Sequence, residues 1–96
     1  MAQFDLYRID NRLAVDLQTN LIALDNTRIV APLRRSGVYA AFPLLTPQVE
    51  VEGQRYIVRT QELAAIAAKR LGSPVGDLRG SADDLLRALD ILTRGF

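Results

Sequence analysis

Residues 49–59, VEVEGQRYIVR, read as a tight β-hairpin, and the reading of the fold works outward from them. Val49 and Val51 share a face of the first arm, and Tyr56 and Val58 share a face of the return. A period of two marks a strand with one side towards a core. Gly53 lies in the turn, where a short hairpin needs a positive φ. Upstream the pattern recurs. In QFDLYR (3–8), Phe4 and Leu6 point one way and Asp5 and Tyr7 the other. Leu13, Val15 and Leu17 then alternate with Ala14, Asp16 and Gln18. Asp10-Asn11 has turn chemistry, so these runs form another hairpin, with one buried face on each arm.

RIVAPL (28–33) follows as a third strand, after loop formers around Leu21, Ile22 and Leu24 and a turn at Asp25-Asn26-Thr27. Pro32 has no amide proton and is expected at a sheet edge or a strand end. VYAAFPLL (38–45) is apolar and punctuated by proline. Downstream of the 49–59 hairpin, TQELAAIAAKRLG (60–72) is rich in alanine, and propensity alone predicts a short helix over 61–70. SPVGDLRG (73–80) reads as loop.

The last segment is helical. Leu85, Ala88, Leu89 and Leu92 recur at i, i+3, i+4 and i+7, a stripe for the core, and Leu86 extends it on one side. Ser81 and Asp84 have the spacing of a capping box, and Asp83 and Asp84 suit the positive end of the helix dipole. Gly95 is placed to end the helix in a left-handed conformation, with Arg94 near its negative end. The fold class is therefore mainly β, antiparallel, closed by one C-terminal helix.

Composition narrows the function. Ninety-six residues suit one domain, 1–96, and a core this small is often completed by dimerisation. Net charge is +1, from 12 basic and 11 acidic side chains, too balanced for a life on phosphate backbone alone. Eleven of the twelve bases are arginine. There is no Cys and no His, which removes thiolate nucleophiles, the usual zinc sites and histidine acid–base chemistry. No metal or cofactor is expected. Nothing near Met1 has the form of a signal peptide and no run is long enough to span a bilayer, so a cytoplasmic location and no membrane partner are expected. Arg34-Arg35 reads as a solvated loop rather than a nucleic-acid patch, because only Tyr39 stands near it in the sequence.

QFDLYR, LAVDLQTNLIALDNTRIVAPL, VEVEGQRYIVRTQELAAI and VGDLRGSADDLLRALDILTRGF, in this order, resemble the CcdB family of bacterial toxins from end to end. The resemblance implies an SH3-like, CcdB-type antiparallel barrel with a C-terminal helix, paired as a homodimer. It implies a type II toxin that binds the A subunit of DNA gyrase and traps the complex with cleaved DNA. It also implies a cognate, CcdA-like antitoxin that neutralises it. Such a protein is not an enzyme but inhibits a topoisomerase by binding, with no direct nucleic-acid binding expected of it alone. The implied gyrase-binding residues are Leu21 and Ile22, which match a pair of isoleucines in a loop bordering the site, together with Asp90, Arg94, Gly95 and Phe96. The family ends in Trp-Gly-Ile; here Gly95 is kept, Phe96 keeps apolar bulk, and Arg94 replaces the tryptophan. A guanidinium cannot supply cation–π attraction to an arginine of the target. Asp90, one turn before Arg94, is positioned to pair with it. The family is extended over the segment that composition reads as helix, so the combined expectation is a helical turn near 61–66 and extended chain after it.

Two rivals stand beside this reading. One is a toxin homologue no longer active on gyrase because of Arg94. The other is a MazF-like endoribonuclease, a sister family with the same barrel, whose acid–base work would fall without histidine to a carboxylate and an arginine such as Asp25 and Arg28.

Overall fold

The computed structural model describes residues 2–21, 26–38 and 41–95. Among the described residues, seven strands form one strongly curled, mostly antiparallel sheet, a half-barrel. They are β1 (Asp5–Ile9), β2 (Arg12–Asp16), β3 (Thr27–Arg35), β4 (Gln48–Val51), β5 (Gln54–Val58), β6 (Ala64–Ala67) and β7 (Gly76–Asp77). Helix α1 (Ala82–Arg94) closes it. Both expected hairpins are present. Asp10 and Asn11 have φ of 50° and 65°, and Glu52 and Gly53 of 51° and 78°. Two consecutive positive φ values give a turn whose twist matches that of the flanking strands. The registers follow, Ile9 opposite Arg12 and Val51 opposite Gln54.

The strand order is β4-β5-β3-β2-β1-β7. β3 is therefore central, with β2 along one edge. Its other edge is shared: β6 pairs with residues 27–30 and β5 with residues 33–35. This arrangement corrects the expectation for Pro32, which lies in the interior of the central strand, opposite Ala14. The N and C=O of a strand residue point to the same edge. The Pro32 carbonyl accepts from the Arg59 amide at 2.9 Å, so its nitrogen faces the seam between β6 and β5, where no ladder bond is required.

The main core lies on the concave side. Phe4, Leu6, Leu13, Val15, Leu17, Ala31, Leu33, Val49 and Val58 meet Leu78 and Leu85 there. The expectation of a single buried face on the first hairpin does not hold. On the reverse of the same strands, Tyr7, Ala14 and Val30 pack with Leu71, flanked by Ile9 and Ile66. Asp16 is also buried on β2. A second layer of side chains, brought in by β6 and the turn after it, covers that face.

The alanine-rich stretch departs from propensity. Thr60–Glu62 is a 3-10 turn, β6 is extended, and Ala68–Arg70 is another 3-10 turn. Propensity loses because the backbone groups of β6 pair with β3, and a buried strand edge gains more from partners than alanine gains from a helix. The combined expectation, a helical turn near 61–66 and extended chain after it, is corrected in its bounds: the turn ends at Glu62, extended chain already begins at Ala64, and a further 3-10 turn follows at Ala68.

The capping box is not formed. Ser81 makes no side-chain cap bond, because a 3-10 turn at Arg79–Ser81 leads into α1. Asp83 and Asp84 do occupy the first turn. The apolar stretch around 38–45 contributes little to the core: Val38, Phe42 and Leu44 are exposed, and Tyr39 lies outside the described residues.

Candidate functional site

Helix α1 is held at its beginning and open towards its end. Leu85 and Ala88 are fully buried against the sheet, whereas Leu86 and Leu92 are exposed and Leu89 is half-buried. The expectation that Leu86 belongs to the buried stripe is thus corrected: its direction from the axis carries it past the sheet. At the tip, Arg94 Nη2 lies 3.2 Å from Asp90 Oδ1, the i,i+4 pair that the spacing suggested. Thr93 Oγ1 donates back to the Leu89 carbonyl at 2.8 Å. Gly95 has φ of 83° and its amide donates to the Ile91 carbonyl at 3.0 Å, so the left-handed cap is as read from the sequence. Both side chains of the ion pair are more than half exposed, which limits its worth to a few tenths of a kcal/mol.

Leu21 is 93% exposed, at the end of a turn whose Thr19 hydroxyl accepts from the Leu21 amide at 3.2 Å. The turn is tied to the N-terminal segment through the Gln3 amide, which donates to Asn20 Oδ1 at 2.7 Å. Ile22 and Phe96 lie outside the described residues. Of the six residues that the resemblance singled out, Asp90, Arg94 and Gly95 thus share the helix tip, and Leu21 stands on a separate loop.

The strongest electrostatic feature was not marked by any motif. Asp16 is fully buried, and its Oδ2 accepts from Arg28 Nε at 2.8 Å. Arg28 Nη2 also donates to the Gln18 carbonyl, and the Gln18 amide donates to Asp16 Oδ1 at 3.0 Å. Asp5 Oδ1 holds Arg79 Nη2 at 2.9 Å, and Arg79 reaches Asp77 at 3.2 Å. Tyr7 is fully buried beside both acids, and its hydroxyl faces Asp5 without forming a well-aligned hydrogen bond among the described residues. Burial raises its pKa above the ordinary 10.0; the charges of Asp5 and Asp16 add to the rise and Arg28 opposes it. Arg28 is therefore paired with Asp16, and Asp25, the other member of the Asp25–Arg28 pair, lies outside the described residues.

A curled antiparallel half-barrel closed by a C-terminal helix is a fold found among toxins. Residues 3–95 match the family described as CcdB protein, and the chain belongs to that family. Among solved structures it is similar to a protein described as an endoribonuclease from Mycobacterial species, at 13% identity, with a TM-score of 0.76 over 96% of this chain and 89% of the other. It is also similar to a protein described as an Mtb toxin, at 17% identity and a TM-score of 0.70, over 95% of this chain and 99% of the other. At such identities the likeness is one of fold. No curated protein matches the chain. No helix among the described residues is long and apolar enough to cross a membrane.

Proposed function

We propose that this chain is the toxin of a type II toxin–antitoxin pair and acts in the cytoplasm by binding the A subunit of DNA gyrase. In this reading two copies set their helix tips side by side, and the paired tips form the docking surface. Gyrase supplies the chemistry, and the chain itself is not a catalyst. A CcdA-like antitoxin covers the toxin until it is released. The observation that carries the reading is the end of α1. There a glycine-capped terminus carries Leu92 uncovered in its last turn, in a chain that matches the CcdB family over residues 3–95. Uncovered apolar side chains at a rigid helix end suit a protein partner.

One observation favours a second reading, a homologue that has lost gyrase. Arg94 is folded back onto Asp90 instead of presenting an aromatic face. The two are separated by expressing the wild type and Arg94→Trp and measuring growth together with supercoiling by gyrase. Growth arrest by the wild type, lost when residues 94–96 are deleted while the dimer mass persists, supports the gyrase reading. Arrest only by Arg94→Trp supports the second, and arrest that survives the deletion removes the tip as the effector.

A further inference from the structure

A cavity of about 320 Å³ opens at the end of the sheet, beside the Asp10-Asn11 turn. Arg8, Asn11, Arg12, Arg34, Arg35 and Tyr56 line it, with no carboxylate among the lining residues. The register explains the convergence. Arg8 stands opposite Leu13 and Arg35 opposite Tyr56, so strands far apart in sequence bring their cationic ends to one place. Arg8, Arg12 and Arg35 are exposed and make no ion pair among the described residues. Arg34 has Glu62 at 3.8 Å, in the wall of an adjoining cavity. Arg12 and Arg34 also line this neighbouring cavity of about 470 Å³, which has an apolar floor that includes Ala14, Val30 and Ile66 and the carboxylates of Asp10 and Glu62 in its wall.

Guanidinium forks suit phosphate oxygens, and several in one concave wall reinforce each other's potential. Tyr56 is half-buried against the main core and shows its remaining surface to the cavity; an acidic peptide would satisfy the charges and leave that surface unused. A single-stranded nucleic acid uses both, backbone on the cations and a base on the ring. We propose that this cavity binds the phosphodiester backbone of single-stranded nucleic acid, with a base resting on Tyr56. The overall charge of +1 hides the site, because Asp10 and Glu62 line the adjoining cavity and not this one. The proposal uses none of the helix-tip residues and stands apart from the gyrase reading.

The test is fluorescence anisotropy of labelled RNA and DNA single strands of one sequence, about 12 nucleotides long, within the usual site sizes. The full chain is titrated at several salt concentrations, with circular dichroism to check that each variant is folded. Salt-dependent binding of either strand is expected, and the better-bound one names the sugar. The double variant Arg8→Ala/Arg35→Ala should lose about tenfold in affinity, with the log–log salt slope shallower by about 1.4 for two lost phosphate contacts. Tyr56→Leu should lose at least about fivefold at an unchanged slope. Arg87→Ala, on the helix, should bind as the wild type. Absence of salt-dependent binding, indifference to the double variant, or an equal loss in Arg87→Ala would overturn the proposal. So would polyglutamate binding that is as tight as that of the strands and indifferent to Tyr56→Leu, which would assign the cavity to an acidic protein.

Discussion

Two sets of arginines in this protein do opposite things. Arg28 is buried and locked onto Asp16, and Arg79 is clamped by Asp5 and Asp77. Arg8, Arg12 and Arg35 stand exposed around a cavity without an acidic neighbour in its lining. The first group is part of the architecture, joining β1, β2, β3 and the turn before α1. The second is surplus to folding. The difference shows that an arginine's role depends on whether a carboxylate shares its face of the sheet, which no count of charges reveals.

The comparison predicts unequal costs. The largest belongs to Asp16→Ala, which leaves Arg28 buried without its partner and is expected to cost about 3–5 kcal/mol, read by urea unfolding. A loss below about 1 kcal/mol would show that Arg28 escapes to water and would erase the contrast. Asp5→Ala removes the partner of Arg79 and the acceptor of the Ala2 amide, but Arg79 is half exposed, so about 1–2 kcal/mol is expected in the same measurement. The smallest effect is that of Tyr7→Phe. It removes a buried hydroxyl whose contact with Asp5 falls short of a well-formed hydrogen bond and should change stability at neutral pH by less than about 1 kcal/mol. Its signature is the pH dependence. The folded-state pKa of Tyr7 is raised, so its neutral form contributes stability that is complete below the unfolded value near 10.0 and is lost as pH climbs through the folded value. Thermal melts from neutral to alkaline pH should show the wild type falling more steeply than Tyr7→Phe above about pH 10. Parallel curves would mean that the phenol reaches water.

Much of this fold is legible in the sequence where a local rule acts alone. The two hairpins follow from alternation and turn residues, the left-handed end of α1 from Gly95, and the Asp90–Arg94 pair from helical spacing. Legibility ends where distant segments compete. Alternation places Asp16 on the side away from the core, and only the arrival of β6 and Leu71 turns that side into an interior. The alanines of 64–67 favour a helix until the edge of β3 offers them partners. Ser81 has the right neighbour for a cap, but the chain reaches it through a 3-10 turn. Of the candidate site, the helix tip was readable. The arginine cavity was not, because its lining is drawn from residues 8 to 56 and Tyr56 reaches Arg35 only through strand pairing.

The seam at Pro32 has one more consequence. Because β5 and β6 share one edge of β3 without overlapping, neither depends on the other's ladder. The strand is a spine with two leaves hinged at the proline. Detaching β6 would uncover Ile66 and Val30 while leaving the β4–β5 hairpin and its bonds intact, so opening that starts at β6 is expected to stop at the proline.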